Sequence, residues 1–234
     1  MFEATVRDGV CRCRRPNTRW LATGPDGGFR TADAAYDVTV PEGFDRTDLR
    51  AYAAERRDAA AFEAPGPTLL TGVDVAHARC ASDGPVTVLA TAGVSNPAAL
   101  PVAGGTVGEG TADAPDWRPG TVNLIAVTDR ALGEGTLAEL LATCVEAKAA
   151  TLAAVAGYPG TTSDAAVVGC DPDGDPAEFA GSATEVGAAT RACVRDAVLA
   201  SLGSRYPDGE FPRRVAEAEH GVVTDREPDV FAPA

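Results

Sequence analysis

Four short apolar runs, at residues 68–73, 86–91, 121–128 and 165–170, constrain this chain more than any other feature. Each is β-branched, bounded by Pro, Gly or Thr, and too short to be a free-standing helix, which is the pattern of buried strands. Two long Ala-rich stretches with helical spacing, at 137–155 and from about 185 to 202, follow the third and fourth runs, and a shorter one lies at 49–62. Strand-like runs alternating with helices predict a mixed α/β (α+β) fold, one domain whose central β-sheet is packed by two to three helices.

The boundaries follow from local signals. Thr136 with Glu139, and Ser182 with Glu185, each have the spacing of a capping box at the start of a long helix. Ahead of the 49–62 helix, Asp45 or Thr47 is a natural starter. The first forty residues read as short strands at 2–6, 10–13, 20–23 and 36–40, with a turn at Pro25-Asp26-Gly27-Gly28. No repeat or low-complexity linker divides the chain, so residues 1–202, N-terminal strands 1–44 included, are expected as one domain, with 203–234 a tail wrapped on it. Residues 92–119 form a long Gly-, Pro- and Ala-rich connection, a length usually reserved for functional loops.

The charge balance removes several functions. A net charge of −14 repels nucleic acid and anionic membrane surfaces. No run of about 18 apolar residues is present to span a bilayer, and the N-terminus is charged and broken, unlike a secretory signal. A cytoplasmic chain is expected, with no nucleic-acid partner and no membrane insertion; a homo-oligomer is compatible with everything above. Nineteen of the twenty basic residues are Arg and one, Lys148, is Lys. Acidic, lysine-poor surfaces of this kind suit proteins that work in molar salt, so the acidity says little about substrate.

Six cysteines occur without a CxxC pair, and Cys11 and Cys13 share one face of a strand. With only His77 and His220, both in polar stretches, a histidine-rich metal site is excluded, no GxSxG elbow supports a serine–histidine triad, and no metal is expected. Gly104, Gly105, Gly108 and Gly110 lack the lysine of a phosphate loop.

Lys148 is the most informative single residue. At about 100° per residue, Leu137, Leu140, Leu141, Cys144, Val145, Leu152 and Val155 form an apolar stripe with Lys148 near its middle. Such a lysine must reach water, pair with an acid or lose its proton. It is read either as a ligand-orienting or catalytic ammonium, or as half of a structural ion pair. Glu146 points to the opposite helix face. Ser95 and Asn96 follow the end of a buried strand, where α/β sheets bind ligands. Asn123 is out of place at the head of an apolar strand, and Thr161-Thr162-Ser163-Asp164 gathers hydroxyls beside one carboxylate ahead of another.

Together the motifs TAGVSN (91–96), GTVNLI (120–125), CVEAKAATL (144–152), GTTSDAAVVG (160–169) and GSATEVGAA (181–189) resemble the adenosylcobinamide amidohydrolases of the CbiZ type, in a halophilic archaeal version. The resemblance covers about residues 20–202. It implies a hydrolase that cuts the amide joining a corrin side chain to 1-amino-2-propanol, giving adenosylcobyric acid for cobalamin salvage. Cobalt would come with the corrinoid substrate and no separate cofactor is required. The chain departs from the expected pattern at Asp37, where an Asn is expected, and at Pro97.

Under that resemblance Asp164 or Glu146 would be the base for a water, or for Ser163 or Thr162. Lys148, Asn96 and Asn123 would be oxyanion or amide-orienting donors, and Ser163 with Lys148 is an alternative nucleophile pair. Ser95, Thr121, Thr162 and Glu185 are further candidate substrate contacts, and Trp117, in the 92–119 loop, is a candidate cover over a wide apolar ligand. The structural alternative is that Asp164 and Lys148 pair simply to build the pocket. Two rival functions are a non-enzymatic corrinoid-binding protein and a hydrolase of another small amide.

Overall fold

The computed structural model describes residues 1–101 and 120–233. Among the described residues, thirteen strands and three α-helices follow one another: β1 (Glu3–Arg7), β2 (Val10–Ala22), β3 (Gly28–Thr39), α1 (Leu49–Ala59), β4 (Thr68–Thr71), β5 (Arg79–Asp83), β6 (Val86–Ala92), β7 (Pro97–Ala99), β8 (Val122–Thr128), β9 (Ala131–Leu132), α2 (Glu134–Ala156), β10 (Gly160–Thr161), β11 (Ala165–Cys170), β12 (Pro176–Ala177), α3 (Glu185–Arg205) and β13 (Val222–Val223). The mixed α/β architecture with one large central sheet and three helices agrees with the expectation from sequence.

The main sheet runs β4-β3-β2-β11-β8-β6-β5, with β1 beside the first half of β2. The 8-stranded sheet is mixed: β11 and β8 are parallel, as are β3 and β4, while the remaining pairs are antiparallel. The expected strand at 2–6 is β1, while those at 10–13, 20–23 and 36–40 are parts of one long β2–β3 hairpin, because the alternating burial of β2 continues through a bulge between Arg14 and Thr18. Asn17 takes the left-handed conformation there, and its backbone N–H donates to Asp33 at 2.9 Å.

α2 and α3 cover one face of this sheet, packing Leu137, Leu140, Cys144 and Leu152 with Val194 and Val198 against Val88, Leu124 and Val168. The other face encloses Cys11, Cys13, Trp20, Leu69, Leu89, Ile125 and Val167. It is closed because the sheet curls: Leu70 on β4 accepts a hydrogen bond from Asn123 on β8 at 2.9 Å, although three strands separate them in the sheet order. α1 packs outside the hairpin on Tyr36, Val38, Phe44 and Phe62.

Two expected caps are corrected. α2 begins at Glu134 after Gly133, with no side-chain cap. Thr136 donates instead to Glu178 O at 3.0 Å and Glu139 accepts from Ala180 N at 2.7 Å, so tertiary partners in the 178–181 segment claim both groups. α3 is capped by Thr184, which accepts from Gly187 N at 3.0 Å, and Ser182 lies two residues too early. α3 continues to Arg205, past the expected end near 202, and the tail carries β13, which pairs in parallel with β7.

Candidate active site

The heads of β8 and β11 lie side by side, with Asn123 opposite Ala165 in a parallel ladder. The turn before β11 therefore sits over the start of β8, and α2 passes behind both. Asp164 is the hub. Its Oδ1 accepts the N–H of Val122 at 2.8 Å and the hydroxyl of Thr161, and its Oδ2 accepts the N–H of Thr161 at 3.0 Å and the ammonium of Lys148. Lys148 is 8% exposed and thus satisfies its charge inside the apolar stripe. Gly160 leaves room for the pair, since a Cβ there would lie 2.6 Å from Asp164 Oδ2 and 2.9 Å from Lys148 Nζ and would push on both.

Ser163 Oγ lies 2.9 Å from Thr121 Oγ1 and donates to Gly120 O at 3.2 Å, an oxygen that also accepts from Thr161 Oγ1 at 2.8 Å. Gly120 is itself pressed against the TAGVSN motif: a Cβ there would meet Asn96 N at 2.5 Å and Ser95 Oγ at 2.8 Å. Thr162 N closes the knot by donating to Asn96 O at 3.2 Å. Three sequence motifs, far apart in the chain, are thus stitched together by backbone as well as side chains.

Asn123 faces the other way, into the enclosed side of the sheet. It donates to Asp37 Oδ1 at 2.8 Å as well as to Leu70 O, and Thr91 donates to Asp37 Oδ2 at 2.7 Å. Asp37 is fully buried. Burial pushes its carboxyl above the usual carboxylate range, opposed by the hydrogen bonds from Thr91 and Asn123.

A cleft of about 600 Å³ opens on the Asp164 cluster, lined by polar and charged residues, Thr23, Asp45, Arg46, Ser163 and Asp164, together with the apolar Pro25, Phe44, Leu49 and Leu70. Among the described residues no group of three His, Cys, Asp or Glu side chains could hold a metal ion. Cys11 and Cys13 are buried in the enclosed core, where desolvation first, and then Cys11 beside it, holds the Cys13 thiol well above its ordinary range.

Of the residues singled out in the sequence, the structure brings together Asp164, Lys148, Ser163, Thr121, Thr162, Ser95 and Asn96, with Asn123 one residue beyond and facing the enclosed side. It does not bring in Glu146, which is exposed and paired with Arg191 on the outer face of α2, because two residues along a helix turn a side chain away from Lys148. Nor does it bring in Glu185, which pairs with Arg130 at 3.2 Å beyond Thr128, at the far end of β8. Trp117 lies outside the described residues. Thr161 was named only among the hydroxyls beside Asp164 and Asp37 only as a departure from the family pattern; the further signal for Asp37 was a carboxylate inside the apolar run AAYDVTV.

A sequence model of the adenosylcobinamide amidohydrolases, CbiZ, matches residues 2–209. The chain belongs to this family. The match spans all five motifs and extends beyond the 20–202 that they cover. A Halobacterium salinarum protein named adenosylcobinamide amidohydrolase is 54% identical over 100% of both chains, and a Methanosarcina mazei protein of the same name is 28% identical over 79% of this chain and 90% of its own. Among solved structures, the PH0078 protein from Pyrococcus horikoshii OT3 superposes with a TM-score of 0.47 at 13% identity, over 86% of this chain and 78% of that one, too distant to bear on activity. The family name is that of a hydrolase of an amide C–N bond, and the acidic, lysine-poor composition fits the halophilic relative. Among the described residues no helix is long and apolar enough to cross a membrane.

Proposed function

We propose that this chain hydrolyses the amide of adenosylcobinamide, adding water across the C–N bond to give adenosylcobyric acid and 1-amino-2-propanol. The observation that carries this reading is the 54% identity, along the whole length of both chains, to a protein of that name. The cleft supports it chemically. The apolar residues on its lining, Pro25, Phe44, Leu49 and Leu70, suit the face of a corrin ring, and Ser163 and Asp164 line the same cleft.

Asp164 is the base for the attacking water. Asp164 lines the cleft, and its carboxylate, whose lone-pair positions are filled by four donors, exchanges one of them for the attacking water. Lys148 is ion-paired with Asp164 here, which favours a positioning role. Ser163 Oγ, on the cleft wall, orients the substrate amide. The amine leaves with one proton from the water and the carboxylate of the corrinoid keeps the oxygen. Cobalt enters and leaves with the substrate.

Reaction in water enriched in oxygen-18 tests this directly. The corrinoid acid should gain one heavy oxygen, and the amine should gain none. Release of the amine without label in the acid would contradict hydrolysis at the amide carbon.

A further inference from the structure

The cleft at Asp164 is one end of a longer trough, with α1 on one side and β4 on the other. Leu49 of α1 and Leu70 of β4 line the cleft, whereas Arg50, Ala53, Ala54 and Arg57 of α1 and Thr68 of β4 line a smaller pocket of about 200 Å³. Residues 50, 53, 54 and 57 have the spacing of one helix face, and Thr68 and Leu70, two apart, share one face of their strand. Pro25, in the turn between β2 and β3, lines both cavities. The two are therefore neighbours, with about 12 Å of helix between Leu49 and Arg57.

The far end of the trough is basic. Arg30, Arg50 and Arg57 line the pocket, and among the described residues there Asp26 is the one acid. That carboxylate is shared, pairing with Arg30 and, at 3.3 Å, with Arg50. Arg57 is held more deeply, its side chain 15% exposed and its guanidinium carbon 5.8 Å from the centre of the Tyr36 ring. The acid with which it pairs, Asp58, is exposed and 3.9 Å away, beyond hydrogen-bond reach. Three guanidiniums against one carboxylate leave positive charge in excess, in a chain whose net charge is −14. The first sixty residues hold ten arginines and ten acids, so the whole acidic excess lies outside the segment that supplies these arginines.

The excess selects the ligand. Chloride or a single carboxylate would offset only part of it. A phosphate group carries about −1.5 to −2 at neutral pH and offers several acceptor oxygens to guanidinium forks. Molar salt screens loose attraction between exposed charges within a few ångströms, so an anion stays there only through directional bonds in a partly enclosed site. Ala53 and Ala54 leave room for a phosphate group, and the pocket is too small for a macrocycle.

We propose that this arginine-lined pocket binds a phosphate group, next to the Asp164 cleft and separate from the reacting amide. The phosphate is either the free ion or the head of a ligand whose apolar limb lies toward Leu49 and Leu70. Both present the same group to Arg30, Arg50 and Arg57. The site goes beyond the hydrolase reading and does not depend on it.

The test is calorimetric titration of the full chain, in molar KCl at neutral pH, with inorganic phosphate, hexyl phosphate and acetate. Phosphate should saturate the chain despite the chloride and bind about tenfold more tightly than acetate. Tighter binding of hexyl phosphate than of the free ion identifies a ligand that reaches into the cleft, and equal binding identifies the free ion; both support the site. Arg50→Gln and Arg57→Gln should each weaken phosphate about tenfold. The Arg50 side chain is 73% exposed, so its variant keeps the packing and decides the matter even if Arg57→Gln fails to fold. Asp26→Asn, which releases Arg30 and Arg50, should tighten phosphate about threefold. Arg130→Gln, at the far end of β8, should leave it unchanged. No binding by the parent, binding no tighter than that of acetate, or one affinity shared by the parent, Arg50→Gln and Asp26→Asn overturns the proposal. So does an equal loss in Arg130→Gln and Arg50→Gln, which would make the attraction one of overall charge.

Discussion

Lys148, in the middle of α2, and Asp164, in the turn before β11, form an ion pair whose side chains are only 9% and 12% exposed. Removing one partner of a buried pair leaves the other charge uncompensated, typically at a cost of about 3–5 kcal/mol. Lys148→Met and Asp164→Asn should each lower the unfolding free energy by about 3 kcal/mol, and the double variant should lose less than the sum, by chemical denaturation in molar KCl. Strict additivity would mean that the pair contributes nothing as a pair.

The same residues separate two chemistries. With Asp164 as base, Asp164→Asn should lower turnover by about 10²–10⁴-fold. Ser163→Ala, which removes only an orienting hydroxyl, should cost about tenfold, the worth of one hydrogen bond. A loss in Ser163→Ala as deep as in Asp164→Asn, with an acyl-enzyme mass on rapid quenching, would move the nucleophile to the serine.

Much of this site was legible in the sequence, and for identifiable reasons. Lys148 stood out because a lone lysine on an apolar stripe must find an acid, and Asp164 was the carboxylate beside hydroxyls ahead of a strand. Pairing between them was one of the two readings that the residues allowed. The strands at 86–92, 122–128 and 165–170 were visible because buried strands are continuous apolar runs. What escaped depends on tertiary curvature. No local pattern says that β4 reaches over to β8, so Asp37, Thr91 and Asn123 could not be seen to converge. Glu146 and Glu185 looked suitable by residue type, and only the helix phase and the strand direction remove them from the cluster.

Asp37 makes stability depend on pH in a defined direction. Burial raises its carboxyl pKa above the usual 3.8, so the folded chain binds this proton more tightly than the unfolded chain does. The contribution of Asp37 therefore favours folding below the unfolded value and is lost as pH rises through the folded one. Asp37→Asn, which can still accept from Asn123, should be at least as stable as the parent at pH 7, with that difference shrinking as the pH falls toward 4. A variant much less stable than the parent at pH 7 would mean that the ionised carboxylate is itself needed by the fold.

The thiols give an independent check of the core. Cys11, Cys13, Cys144, Cys170 and Cys193 are buried, and Cys80 is exposed. Burial pushes the Cys144 thiol up to about 12 and the Cys193 thiol up to about 11, which keeps both protonated and unreactive at neutral pH. A thiol reagent should label only Cys80 in the native protein, and slowly, because desolvation pushes that thiol too up to about 11, and all six only after denaturation, counted by intact mass. Native labelling of Cys11 or Cys13 would contradict the enclosed face of the sheet.

The central claim is the reaction, and one measurement reaches it most directly. The purified chain is incubated in molar KCl with adenosylcobinamide, and the products are followed by liquid chromatography with mass detection. Adenosylcobyric acid and 1-amino-2-propanol should appear in equal amounts, and with Asp164→Asn both should form about 10²–10⁴-fold more slowly. Intact adenosylcobinamide after prolonged incubation with folded protein would contradict the account, leaving a corrinoid binder if the substrate is retained on the chain and a hydrolase of another amide if it is not.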